Sequence, residues 1–152
     1  MLNGRVLVLL LFALPLFGAQ AATGRIKKVL PHYLDKQGRH TLAPSLYERD
    51  AYQAHLRHSP NERSALRFDV NWKATRGADT NLKLRVELRS SKANPLQPVV
   101  LEAQIEPPRF FSRWSALTLK GEDYEKFGDL IAWRATLWEG DVLLAEQKSF
   151  LW

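Results

Sequence analysis

The sequence contains no cysteine among its 152 residues. Without cysteine the chain cannot form a disulfide framework, a thiolate zinc site, a CxxC redox centre or a cysteine nucleophile. Any stability of the folded chain must therefore come from a hydrophobic core, for which a domain of this size is long enough.

The sequence also lacks the short motifs that mark common enzyme classes. It contains no G-x-S-x-G elbow, no S-x-x-K with its partner motifs and no H-E-x-x-H, and its 8 glycines never form a phosphate-binding loop. The sequence therefore predicts no catalytic residues and no cofactor. A small envelope hydrolase, metal-dependent or carboxylate-based, is the alternative, because carboxylates that only folding brings together leave no local motif.

Long apolar runs are confined to the start of the chain. Arg5 precedes an apolar stretch over residues 6–17, and Ala19 and Ala21 are the small residues of an A-x-A cleavage site. A membrane-spanning helix needs about 20 apolar residues, and Gln20 comes too early for one. The pattern predicts a secretory signal peptide over residues 1–21, cleavage after Ala21, and export to the periplasm or the medium.

Residues 22–152 have the length and composition of one globular domain. The whole chain is 45% hydrophobic and 25% charged, with 22 Lys and Arg against 16 Asp and Glu. Arg5 is the only charged residue in the predicted signal peptide, so its removal lowers the formal net charge from +6 to +5. A basic surplus favours anionic partners. For an exported protein we expect envelope polymers or lipid head groups, and no nucleic acid.

Alternation of apolar and polar residues is the dominant pattern after Ile26. It predicts seven strands, over residues 25–33, 66–73, 82–89, 99–106, 114–119, 131–137 and 142–152. Seven short strands separated by turn residues predict an all-β fold. Their spacing resembles that of immunoglobulin-like and fibronectin-like β-sandwiches, which implies two packed antiparallel sheets.

One segment between the first and second predicted strands breaks the alternation. Ser45 and Glu48 are spaced as in a capping box, and Arg57 and Pro60 suit the end of a helix. The segment predicts a short helix over residues 46–57. Its apolar residues fall on two stripes, so an irregular strand is the alternative.

The last two predicted strands form a hairpin around Gly140, which supplies a positive φ. A three-residue loop would place Leu137 opposite Leu143 and Arg134 opposite Glu146. The outer face of this hairpin carries apolar residues that need a cover. We expect the inserted helix to cover them; the alternative is a protein-docking face formed by Trp138, Leu144, Phe150 and Trp152.

Basic residues occupy polar positions of the second and third predicted strands. They are Arg67, Lys73, Lys83, Arg85 and Arg89. If the two strands lie near one another, their charges add to one cationic patch for acidic polysaccharide or lipid head groups.

Histidines and acidic clusters are the candidate metal ligands. His55 and His58 are three residues apart and would share one helix face, but a third zinc ligand would have to come from His32, His40 or Asp35. This is a weak zinc signature, and no metal site is predicted. The acidic residues at 122, 123, 125 and 129 predict a helical turn that ends at Gly128 rather than a calcium loop.

These features together predict an exported, non-catalytic binding or interaction module for an anionic envelope component or a protein partner. A third class of function, besides the hydrolase alternative, is that of a structural subunit that pairs through a sheet edge.

Overall fold

The computed structural model describes residues 23–75, 81–92, 97–106 and 111–152, so the predicted signal peptide lies outside the described residues. Within these ranges the chain forms seven strands and two α-helices. In chain order they are β1 (Gly24–Asp35), α1 (Leu46–His58), β2 (Arg63–Ala74), β3 (Leu82–Ser90), β4 (Val99–Ile105), β5 (Arg113–Lys120), α2 (Gly121–Phe127), β6 (Leu130–Glu139) and β7 (Val142–Lys148). Neither helix is long and apolar enough to cross a membrane.

The strands form two antiparallel sheets. The three-stranded sheet has the order β1-β2-β5, and the four-stranded sheet has the order β4-β3-β6-β7. The chain therefore passes from one sheet to the other between β2 and β3, between β4 and β5, and between β5 and β6. The prediction of a mostly β chain with seven strands is confirmed, although β7 ends at Lys148 and not at residue 152.

The apolar faces of the two sheets pack on each other in a sandwich-like arrangement. The fully buried side chains include Phe68, Val70 and Trp72 from β2 and Leu84, Val86 and Leu88 from β3. Burying a side chain of this size is worth about 1.5–3 kcal/mol. The alternating strands thus supply a core that needs no disulfide.

Strands β1 and β7 approach each other closely at Gly24. A Cβ atom at this position would lie 2.7 Å from the Cβ of Leu144 and 2.9 Å from a methyl group of Leu137. Only glycine leaves room for this contact. Leu144 therefore packs toward the core, against β1, and does not point away from it as the alternation predicted.

The inserted helix α1 follows the prediction, with one further residue at its end, and the irregular-strand alternative is wrong. Its first turn begins after Ser45, whose Oγ accepts a hydrogen bond from the backbone N–H of Glu48 at 3.4 Å. Leu56 is fully buried in the core, and the helix packs against β1. The expectation that it covers the outer face of the last hairpin is therefore wrong.

The hairpin between β6 and β7 has a shorter turn than predicted. Gly140 has the expected positive φ of 55°, but only two residues separate the paired Glu139 and Val142. Leu137 pairs with Ala145 and Arg134 pairs with Lys148, so the predicted register is wrong. The shorter turn shifts the pairing by one position and a β-bulge after Leu137 shifts it by one more, and no sequence pattern indicated the bulge.

Candidate functional site

The predicted basic patch is divided between the two sheets. Arg67 and Lys73 lie on β2 in the three-stranded sheet, whereas Lys83, Arg85 and Arg89 lie on β3 in the four-stranded sheet. Because the inner faces of the sheets pack together, these outward positions belong to different outer faces. The two sets of charges do not add to one surface.

Three cations of the four-stranded sheet are paired with carboxylates, whereas Arg89 lies against the ring of Trp152. Arg134 Nη2 lies 2.6 Å and Arg85 Nη2 3.2 Å from opposite oxygens of the buried Glu87. Arg85 Nη1 and Lys83 Nζ lie 3.6 Å and 3.5 Å from Glu102 Oε1. This network largely neutralises its own charge, which suits a stabilising role better than ligand binding.

The predicted docking residues of the last hairpin do not share one face. Leu144 faces the core, and the half-buried Trp138 donates from Nε1 to the hydroxyl of Thr136 at 2.9 Å. Phe150 is fully exposed. The ring of Trp152 lies 4.2 Å from the guanidinium carbon of Arg89, as in a cation–π contact.

The paired histidines of α1 have separate partners. His55 Nε2 lies 2.8 Å from Glu62 Oε2, and His58 Nδ1 donates to the carbonyl of Ala54 at 2.8 Å. Among the described residues no group of three His, Asp or Glu is arranged to hold a metal ion.

The acidic segment forms the predicted helical turn, α2. Lys126 Nζ lies 3.1 Å from Glu122 Oε2 within it, and Gly128 follows with a φ of 82°. Asp129 pairs with Arg63 at 2.8 Å. The helical-turn prediction is confirmed.

A shallow cleft of about 250 Å³ lies on the outer face of the three-stranded sheet. All three strands of that sheet and the segment between β1 and β2 contribute to its lining. We call it the His–Arg cleft; its residues are Leu30, His32, His40, Arg49, Arg67, Asp69 and Trp114.

Asp69 is the hydrogen-bond acceptor at the centre of the cleft. Its Oδ2 lies 3.1 Å from His32 Nδ1, and it accepts from Arg67 Nε at 3.1 Å and Nη2 at 2.8 Å. Burial raises the pKa of Asp69, but the bonds from His32 and Arg67 outweigh burial and lower the pKa below its ordinary value. Asp69 is therefore ionised at neutral pH, and its Oδ1 takes part in none of these three bonds.

Arg67 also contacts the second histidine of the cleft. Its Nη2 lies 3.3 Å from His40 Nδ1, and the rings of His32 and His40 lie 4.9 Å apart. A guanidinium can only donate, so His40 Nδ1 accepts and the neutral ring carries its proton on Nε2. Burial, followed by the charges of Arg67 and His32, lowers the pKa of His40. Within the described residues no hydrogen bond uses Arg67 Nη1.

A buried glutamine of α1 holds His40 over the sheet. The side chain of Gln53 donates from Nε2 to the carbonyls of His40 at 2.8 Å and Tyr33 at 3.0 Å. Its Oε1 accepts from the backbone N–H of Tyr33 at 2.8 Å. The helix therefore ties the cleft to the end of β1.

Asp35 orders the loop that leads to His40. Its carboxylate accepts from the backbone N–H groups of Gln37 at 2.9 Å and Arg39 at 2.8 Å, and from the hydroxyl of Tyr52 at 2.7 Å. Burial raises the pKa of Asp35, but these hydrogen bonds outweigh burial and lower the pKa to about 2.

We expect Asp35→Asn to remove a stabilising contribution that depends on pH. The pKa of Asp35 is about 2 in the folded chain against 3.8 as the ordinary value. Its carboxylate therefore stabilises the fold above about pH 5, and this contribution is lost as the pH falls toward about 2. Thermal unfolding should show a difference in Tm between wild type and variant that is largest near neutral pH and shrinks in acid.

The exposed Asp50, which pairs with Arg49 at 2.9 Å, supplies the control. Asp50→Asn should change Tm little at any pH, because exposed ion pairs contribute about 0–1 kcal/mol. A Tm difference for Asp35→Asn that stays constant from neutral to acid pH would refute the role of the ionised carboxylate.

The sequence analysis predicted Arg67 as a site residue, but it did not predict that the other residues of the His–Arg cleft lie around it. His32 and His40 were considered only as distant zinc ligands, and Asp69 was not among the predicted site residues. One signal was present: in a strand, residues two apart share a face, so Arg67 and Asp69 were bound to be neighbours. Trp114 had no such signal.

Comparison with models of known protein families, with curated proteins and with solved structures finds no significant match. The His–Arg cleft combines two guanidinium groups, two imidazoles, one carboxylate and an exposed indole. Such a set can bind an anion beside a flat apolar surface.

Proposed function

We propose that the protein is a non-catalytic binding module that holds anionic groups of an envelope component in the His–Arg cleft. One observation carries the proposal. Arg67 lies in the cleft with its Nη1 outside every hydrogen bond within the described residues. Arg67 is paired with Asp69 through Nε and Nη2 alone, whereas Arg134 on the other sheet places both of its terminal nitrogens near glutamates, at 2.6 Å from Glu87 and 3.6 Å from Glu146.

The charges of the cleft support an anionic ligand. Asp69 offsets one positive charge and is shared between His32 and Arg67. Arg49 adds a second guanidinium, whose partner Asp50 is largely exposed and therefore screened by water. An incoming carboxylate could accept from Arg67 Nη1 and from Arg49, and such charge-assisted bonds are about twice as strong as neutral ones.

The residues of the cleft favour binding over catalysis. His32 and Asp69 form a pair of the kind that orients a general base, but nucleophilic catalysis also needs a group for that base to activate. None of the residues that line the cleft is a serine, a threonine or a cysteine.

We also propose an immunoglobulin-like class for the fold and export for the chain. The strand orders β1-β2-β5 and β4-β3-β6-β7 support the fold class, although β4 pairs with β3 and not with β5 as in the constant-type order. The apolar stretch over residues 6–17 and the small residues Ala19 and Ala21 support export of a single domain, 22–152. The intact mass of the mature protein tests this, with an N-terminus at Ala22 expected and one at Met1 contradicting it.

The anion site is tested with polyacrylate, a carboxylate polymer that contains no sugar. We expect the double variant Arg49→Gln/Arg67→Gln to bind it at least about fivefold more weakly than wild type, because two charge-assisted donors are lost. Isothermal titration at low salt measures the affinity. Wild-type binding should weaken as salt approaches 0.15 M, where the screening length is about 8 Å.

The matched control removes two positive charges from the other sheet. Lys83→Gln/Arg85→Gln changes the net charge by the same amount but leaves the His–Arg cleft intact. Equal loss of binding in both double variants would mean that net charge alone drives binding, and it would overturn the assignment of the cleft. Circular dichroism checks that both variants are folded.

A further inference from the structure

We infer that the ligand of the His–Arg cleft is an acidic polysaccharide, whose sugar ring stacks on Trp114 while its carboxylate pairs with Arg67. This inference rests on the proposed function and names the chemical class of the ligand. It uses three observations: an exposed indole in the cleft, an acceptor oxygen among the cations, and a row of further cations along the same sheet.

Trp114 presents an aromatic surface in the cleft that also contains Arg67. It is 51% exposed, it lies on the edge strand β5, and its backbone position pairs with Asn71 at an outward position of β2. Sugar rings have an apolar face of C–H groups that packs flat against an aromatic ring, and tryptophan offers the largest such ring. A side chain that had only to fill space on a solvated sheet face would not need to be an indole.

Asp69 distinguishes a sugar from a simple anion. All three of its hydrogen bonds within the described residues end on Oδ2, which leaves Oδ1 as an acceptor in a cleft that also holds two guanidinium groups. Hydroxyl groups of a sugar can donate to this oxygen, and His40 Nε2–H can donate to a sugar oxygen. A ligand with both hydroxyl groups and a carboxylate therefore matches the donors and acceptors of the cleft.

The same features favour a polysaccharide over a nucleic acid. DNA has no backbone hydroxyl groups to donate to Asp69, whereas a sugar ring has several. Surfaces that bind single strands present aromatic side chains for successive bases, whereas the cleft has a single one, Trp114, among its described residues.

Further cations extend from the cleft along the three-stranded sheet. Lys28 is opposite Asn71 and Arg25 is opposite Lys73, so these side chains continue the face that carries Arg67. Lys73 is the sixth residue after Arg67 on β2, so the two positions are about 20 Å apart along the strand. Within the described residues none of these three further cations makes a salt bridge. A chain with repeated carboxylates could therefore contact the sheet beyond the cleft.

The test compares oligogalacturonate with polyacrylate of equal charge number, a neutral malto-oligosaccharide and a single-stranded oligonucleotide. Isothermal titration should give the tightest binding for oligogalacturonate. Trp114→Ala should weaken its binding about threefold to tenfold, as expected for the loss of one stacking contact. The same variant should leave polyacrylate binding unchanged, and Trp114→Phe should keep part of the affinity. Trp152→Ala, which removes an indole that packs on Arg89 of the other sheet, is the control and should bind oligogalacturonate like wild type.

The outcomes separate this inference from the proposed function. If oligogalacturonate and polyacrylate bind equally and Trp114→Ala has no effect, the sugar inference is overturned while the anion site stands. If neither polymer binds, the proposed function fails as well. Tighter binding of the oligonucleotide that depends on Trp114 would overturn the polysaccharide in favour of a nucleic acid.

Discussion

Replacement of Arg63 by leucine is expected to destabilise the fold by about 1–3 kcal/mol, because it removes the buried donor to carbonyl groups at the end of α1. The side chain of Arg63 is only 4% exposed. It donates to the carbonyls of Leu56 and Arg57, and its Nη1 pairs with Asp129 at 2.8 Å. Both carbonyls belong to the last turn of α1, and that of Leu56 also accepts from the backbone N–H of Ser59 at 3.3 Å. Its guanidinium also lies over the ring of Tyr33, 4.1 Å from the ring centre.

Urea denaturation followed by circular dichroism measures the loss. Asp129→Asn is the matched control: Asp129 is 66% exposed, so this change removes the ion pair alone and should cost at most about 1 kcal/mol. Arg63→Lys should fall between the two, because it keeps a charge but not the planar set of donors. A loss of less than about 1 kcal/mol for Arg63→Leu would show that water satisfies the helix end as well as the guanidinium does.

The strands could be predicted because alternation is a local property. Phe68, Val70 and Trp72 face the core whichever partner their strand has, and all three are fully buried. The start of α1 was equally local, since Ser45 and Glu48 are separated by one helical turn. Patterns of this kind depend on backbone geometry and need no knowledge of tertiary contacts.

Strand partners and register could not be predicted in the same way. The basic residues of β2 and β3 were expected to form one patch, but β2 and β3 belong to different sheets. The register of the last hairpin depends on a bulge after Leu137, which shifts every pair farther from the turn. Neither feature leaves a mark in the spacing of residues, because both depend on contacts made across the core.

The candidate site was hidden for a related reason. His40 reaches the sheet only because Gln53 and Asp35 hold the preceding loop, and those residues are distant from β2 in the sequence. From sequence alone, polar residues in a loop are expected to be exposed to solvent, because their hydrogen-bond partners are not known. The pairing of Arg67 with Asp69, two residues apart on one strand, was the single contact of the site that the sequence could have indicated.

We expect the affinity for an anionic ligand to rise at acid pH, because His40 then becomes protonated. The groups that face its ring are His32 from β1, Arg67 and Asp69 from β2, and Arg49 from α1. Burial and the neighbouring positive charges lower its pKa below the ordinary value of 6.5, so the ring is neutral at pH 7 in the free protein. A bound carboxylate adds a negative charge beside the ring and raises the pKa of His40. Binding therefore takes up a proton, and the affinity rises as the pH falls through the pKa of His40 in the complex.

The expected gain for oligogalacturonate is about tenfold between pH 8 and pH 5. A unit charge about 5 Å from a carboxylate contributes between about 0.8 and 3 kcal/mol, depending on how well water screens the pair. Ligand carboxyl groups stay ionised over this range, since such groups have pKa values near 3.5. His40→Gln keeps a neutral hydrogen-bonding side chain, so it should bind like wild type at pH 8 and lose the increase in acid. His55→Gln, which alters the exposed pair with Glu62, should keep the increase. If His40→Gln retains the full pH dependence, the proton is taken up elsewhere in the complex, and His40 is not the group that links acid to binding.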